Sequence, residues 1–118
     1  MAVQAEDFLR FAEELLDKRT QTEIDHRNAA ARAYYALLHL IRPALGLPTT
    51  ASHLDVREEL KATHPASAAP FLREARLHWR EFWKLRLRSD YELSAHVSKA
   101  TAEGRVELAR RIFSLSAL

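Results

Sequence analysis

Five side chains between Asn28 and Arg42 can donate, accept or titrate, and they are spaced as a row. In the stretch RNAAARAYYALLHLIR, residues 27–42, the positions Asn28, Arg32, Tyr35, His39 and Arg42 follow one another at steps of four, three, four and three. A helix advancing about 100° per residue brings them to one side, beside an almost wholly apolar face. The row holds neither lysine nor glutamate, the residues that ordinary solvent-facing helices favour. It reads either as a wet outer surface or as one wall of a groove that handles a polar ligand.

A second polar group falls further along. Phe71, Leu72, Ala75, Trp79, Phe82 and Trp83 occupy an arc of about 120° on a helical wheel, the width of a core-facing stripe. Continued, that stripe reaches Arg86 and Asp90, four residues apart and able to pair. Charges carried toward a core need partners, so this is expected to be a structural polar pair lying near the first row. Arg73, Arg76, Arg80, Lys84 and Arg88 line up on a different side, as a stripe about 20 Å long at about 1.5 Å per residue. Such a stripe is either a solvated face, paired with an acidic neighbour such as the first helix, or a track for phosphates.

The elements that must position these residues are helical. Two glycines, four prolines and few β-branched residues leave little material for turns and strands. Apolar spacing predicts a first helix from Gln4 to Lys18, with Glu6 and Asp7 early, where the helix dipole favours acid. A second runs from Glu23 to Leu45 and stops at Gly46 and Pro48. Ser52 opens a short third helix to about Thr63, with Asp55 as a weak capping-box partner. The fourth starts between Ala66 and Pro70 and extends to Leu93; the fifth covers Lys99 to Leu115, with Gly104 inside it. The expectation is one all-α domain over residues 1–118, an antiparallel four-helix bundle with an additional short helix, centred on helices two and four.

Composition narrows the function classes. The chain has 118 residues, 47% of them hydrophobic and 29% charged, which is ordinary for a soluble globular domain. It contains no cysteine, which excludes disulfides and thiolate metal sites and fits a cytoplasmic location. The start, MAVQAEDFLR, does not read as a secretion signal, and runs such as AYYALLHLI fall far short of the ~20 residues a membrane span needs. No metal is expected, because the six histidines show no pair at metal-ligand spacing on one helical face. No cofactor is expected either, since two glycines cannot build a dinucleotide or Walker-type cradle. The net charge of +2 does not announce a nucleic-acid binder, so any such role must come from local clustering.

The ARAYYA core followed by His39, the SHLDV segment, and LRLRSDYEL with its Arg-x-x-x-Asp-Tyr element resemble the HEPN (higher eukaryotes and prokaryotes nucleotide-binding) superfamily. The similarity is to its small stand-alone prokaryotic branch and covers nearly the whole chain in the same order. It implies a bundle of four helices plus a short fifth, commonly a homodimer around a cleft. Many members are metal-independent endoribonucleases, several act as toxins beside a nucleotidyltransferase antitoxin, and others serve in RNA processing or defence. Their usual site is an arginine followed, after four to six residues, by a histidine that moves protons while the arginine stabilises the phosphate.

This chain departs from that pattern. Arg86 matches the motif arginine, but Tyr91 stands where a histidine would be, and seven residues separate Arg88 from His96. Three accounts remain open. In one, RNA is cleaved by Arg86 or Arg88 with His39 or His96, Tyr91 being a poor base at neutral pH. In another, RNA or a nucleotide is bound without cleavage by Asn28, Arg32, Arg86 and the basic stripe, with Tyr34 or Tyr35 stacking on a base. In the third, the groove seats a partner or a second copy.

Overall fold

The structure, a computed structural model, describes residues 3–63 and 68–118. They form α1 (Ala5–Asp17), α2 (Glu23–Ala44), α3 (His53–Ala62), α4 (Pro70–Tyr91) and α5 (Lys99–Ser116). The fold class is the expected all-α bundle. Helix ends follow local chemistry. The Asp7 carboxylate accepts from the Gln4 amide at 2.7 Å, and Asp25 accepts from the Thr22 amide at 3.0 Å. Ser52 and Asp55 close a reciprocal capping box, each side chain accepting from the other's backbone amide at 3.1 and 3.0 Å. Gly46 follows α2 with φ of +72°, a left-handed conformation that side chains other than glycine's strain to adopt. Pro70 is the first residue of α4, where its missing N–H costs nothing; the earlier start at Ala66 lies outside the described residues.

The hub of the bundle is α2, which packs against all four other helices, whereas α4 meets α2, α3 and α5 but makes no contact with α1. A helix surrounded on several sides needs small side chains where its neighbours approach. Ala29, Ala31, Ala33 and Ala36 of α2 are completely buried and supply them. Larger residues fill the spaces between: Leu9 and Leu15 from α1, Tyr34, Leu37 and Ile41 from α2, Val56 and Leu60 from α3, Trp79 and Phe82 from α4, Ile112 from α5.

The register of α2 against α4 is set by a buried cation. Arg27, 5% exposed, donates from Nη1 to the carbonyls of Arg88 (3.0 Å), Ser89 (3.2 Å) and Glu92 (3.1 Å). Its Nη2 donates to the carbonyls of Leu93 and Ala95, and its Nε donates to Glu23 at 3.0 Å. The last carbonyls of a helix have no partner inside it, and a positive charge there also complements the helix dipole. Arg27 therefore caps α4 from the flank of α2 and pins the turn that follows. Glu23 in turn holds His96 of that turn.

Replacing Arg27 by methionine, which keeps the apolar stem, should destabilise the fold by roughly 3 kcal/mol, because several carbonyls lose a charged donor at once. The urea midpoint measures it, and an unchanged midpoint would refute the assignment. Acid should act on the same region. The bond from Arg27, then that from His96, holds the Glu23 carboxyl below its ordinary value of 4.5. The Thr22 amide, then Lys18, holds Asp25 below 3.8. Carboxylates held below their unfolded values stabilise fully above those values and lose that contribution as pH falls beneath them. The urea midpoint should accordingly drop below about pH 4.5, and less steeply in Glu23→Gln.

Candidate functional site

Consecutive tyrosines on α2 organise the site. Neighbouring residues of a helix diverge by about 100°, so Tyr34 and Tyr35 reach different partners. Tyr34, completely buried, places its hydroxyl 2.6 Å from Nδ1 of His53 at the start of α3. Tyr35 accepts a bond of 2.6 Å from Nη2 of Arg86 on α4. Arg86 also lies over the Tyr35 and Tyr91 rings, 5.3 Å from each centroid, and Arg32 lies over Tyr35 at 5.1 Å. Asp90 stands 3.2 Å from Arg86 Nε, as expected of the pair, but out of hydrogen-bond alignment, so that Nε is buried without a directed acceptor. Burial works against the Arg86 charge; the bond to Tyr35 and the nearby Tyr35, Tyr91 and Asp90 outweigh it and raise its pKa.

Arg86 and His53 line one pocket of about 330 Å³ between α3 and α4, together with Ser52, Arg57, Trp79 and Trp83. A second hollow of about 270 Å³ continues it through Arg57 and Trp79 to Leu60, Lys61, Arg76 and Arg80. The two make one groove with aromatic and apolar walls and a cationic rim. Burial first, then the charges of Arg86 and Arg42, hold the His53 pKa below its ordinary 6.5, so this imidazole is neutral at neutral pH.

Two residues of the basic stripe, Arg76 and Arg80, line this groove. Arg73, Arg76, Arg80, Lys84 and Arg88 are all exposed, and among the described residues none has a carboxylate within salt-bridge distance. The acidic first helix does not neutralise it. Glu6 and Glu13 of α1 instead hold Arg110 of α5, at 3.0 and 2.6 Å. A hollow of about 570 Å³ between α1 and α5 is walled by Glu13, Asp17, Glu103, Glu107 and that paired Arg110, a poor seat for an anion.

The histidines proposed beside Arg86 lie elsewhere. His39 stacks on Phe8 of α1 with ring centroids 4.8 Å apart. His96 bonds to Glu23, about 18 Å along α2 from Tyr35 at the helical rise of 1.5 Å per residue. Among the described residues neither touches Arg86. The Arg88 side chain points to solvent, and only its carbonyl meets Arg27. The α2 row therefore divides. Tyr35 turns to Arg86, Arg32 borders Tyr35 and a hollow formed with Val3, Phe8 and Phe11, and Arg42 Nη1 donates to the Thr49 carbonyl at 2.8 Å. Asn28 is half-buried. His53 is the residue that sequence reasoning left out, although it sits in the quoted SHLDV. Its one signal was a titratable ring immediately after a capping serine, at a helix start. No protein-family model matches this chain, and no curated protein or solved structure matches it.

An NMR titration of the histidines should place the His53 midpoint below 6.5 and move it upward in Arg86→Met, because the variant removes a positive charge. A midpoint unmoved by that substitution would separate the two residues. Tyr35→Phe should cost roughly 1.5–3 kcal/mol in urea unfolding, the value of a bond to a charged donor.

Proposed function

We propose that this chain is an RNA-binding protein of HEPN type that takes single-stranded RNA along the α3–α4 groove. The observation that carries the reading is the row Arg73, Arg76, Arg80, Lys84 and Arg88, which has no carboxylate partner among the described residues and whose Arg76 and Arg80 line a groove that ends at Trp83 and Arg86. Cations spaced along about 20 Å suit a phosphodiester backbone, and the half-buried Trp83 suits an unpaired base, which stacks without regard to sequence. In this reading Arg86, prepositioned by Tyr35 and Asp90, takes one phosphate, and exposed Tyr91 beside it offers a further stacking face.

A second reading, endoribonuclease activity, is favoured by one observation: an arginine and a histidine line the same pocket. In this reading Arg86 stabilises phosphate charge and His53, from another helix, takes the proton-moving part that the motif histidine has in the cleaving proteins of the superfamily this chain resembles. The homodimer and the nucleotidyltransferase antitoxin that the resemblance implies belong to this reading, since a cleaving toxin requires a partner that silences it.

Binding to a fluorescent single-stranded RNA should weaken steeply with salt, and the double variant Arg80→Glu, Lys84→Glu should lower affinity at least about tenfold and flatten the salt slope by roughly 0.7 for each lost phosphate contact. Salt-independent binding, or a double variant that binds as well as the parent, would overturn the reading. Cleavage of the same RNA in excess chelator, abolished by Arg86→Ala, would establish the second.

A further inference from the structure

The hydrogen bond between Tyr34 Oη and His53 Nδ1, 2.6 Å long, can be made with the proton on either atom. What each alternative leaves unpaired decides between them. Tyr34 is 0% exposed, and among the described residues its hydroxyl meets only His53 Nδ1. Were Nδ1 to carry the proton, the Tyr34 O–H would be buried with nothing to donate to, which folded proteins avoid. With the hydroxyl as donor, its proton is paired and Nδ1 is the acceptor. The single proton of the neutral imidazole then resides on Nε2. That atom has no protein partner among the described residues and is not sealed from solvent, and its ring lines the pocket with Arg57 and Arg86.

We propose that Tyr34 is a positioning residue that locks His53 as the neutral Nε2–H tautomer, so that His53 meets a phosphate oxygen in the α3–α4 pocket as a hydrogen-bond donor. The ligand half of this rests on the RNA reading above; the tautomer half does not. The pocket then offers donors: His53 Nε2–H and the guanidinium groups of Arg57 and Arg86 that line it. It suits a group that only accepts, such as a phosphodiester oxygen. The same lock bears on cleavage. Nδ1 is occupied by Tyr34 and Nε2 already carries a proton, so His53 has no free nitrogen with which to deprotonate a ribose hydroxyl. Tight binding without cutting is the behaviour this tautomer favours.

The test is long-range nitrogen–proton NMR on the full chain labelled at histidine, at neutral pH. Expected are a protonated Nε2 and an acceptor Nδ1 for His53, converting to a mixture of tautomers in Tyr34→Phe, while the other five histidines stay as they were. Inorganic phosphate should shift the Nε2–H resonance. A protonated Nδ1 in the parent, or an identical spectrum in Tyr34→Phe, overturns the lock. Should Tyr34→Phe not fold, the parent spectrum alone still decides the tautomer. In RNA binding, His53→Gln, which sets an amide N–H near the place of Nε2, should stay within about threefold of the parent, while His53→Ala should lose about tenfold, the worth of one bond to a charged group. An alanine variant that binds as well as the parent overturns the ligand half. A locked Nε2–H in a chain that binds neither phosphate nor RNA refutes the RNA reading and leaves the Tyr34 assignment standing.

Discussion

The guanidinium of Arg27, buried between α2 and the end of α4, gathers the carbonyls of Arg88, Ser89, Glu92, Leu93 and Ala95. Burying an arginine is expensive unless its donors are met, and here the end of another helix meets them. The geometry works only if α4 terminates where it does and α2 passes beside it at that height. Eight residues along α2 from Arg27, Tyr35 then arrives level with Arg86, one turn back from the capped end of the antiparallel α4. A slide of one helix past the other by a turn would break the cap and the Tyr35–Arg86 bond together. Specificity of register, more than net stability, is what such a buried cation confers.

With that register fixed, two adjacent tyrosines do the rest. Tyr34 is held among Tyr35, His53 and Trp79, with ring centroids between 5.4 and 5.6 Å away, so its hydroxyl has one direction available. Tyr35 is only partly buried and lies between two guanidinium groups. The buried tyrosine thus orients a histidine on α3 and its half-exposed neighbour orients an arginine on α4. A single rigid helix sets the spacing between the two site residues, although neither of them belongs to it.

The elements were readable from sequence because their signals are local. Gly46, Ser52 with Asp55, and Pro70 act within a turn of themselves, and the helix limits follow them closely. The Arg86–Asp90 pair was readable for the same reason, as a four-residue step on one face. The meeting of Tyr35 with Arg86 was legible only as two polar rows that ought to face one another. Arg27 was not legible, since its acceptors are backbone carbonyls more than sixty positions away and a carbonyl has no letter of its own. His53 escaped because it belongs neither to the α2 polar row, as His39 does, nor to the stretch downstream of Arg86, as His96 does. It reaches the Arg86 pocket from a different helix, and no spacing rule along the chain encodes such a meeting.

The modest net charge of +2 conceals a separation that the topology makes physical. Carboxylates of α1 and α5 cluster around Arg110, while the cations of the α4 stripe, which have no carboxylate partner among the described residues, lie along α4 near Arg57 of α3. Helix α1 is out of contact with α4, and the ion pairs between α5 and α4, Arg105–Glu81 and Arg111–Glu74, leave the stripe without a carboxylate partner among the described residues. At physiological salt, where screening sets in over about 8 Å, an approaching polyanion feels the near face and little of the far one. Repulsion by the acidic side and attraction by the basic side then orient the encounter before any contact forms. The face so presented is the one that carries Arg86 and His53, so the RNA reading we propose draws on the charge distribution as well as on the pocket chemistry.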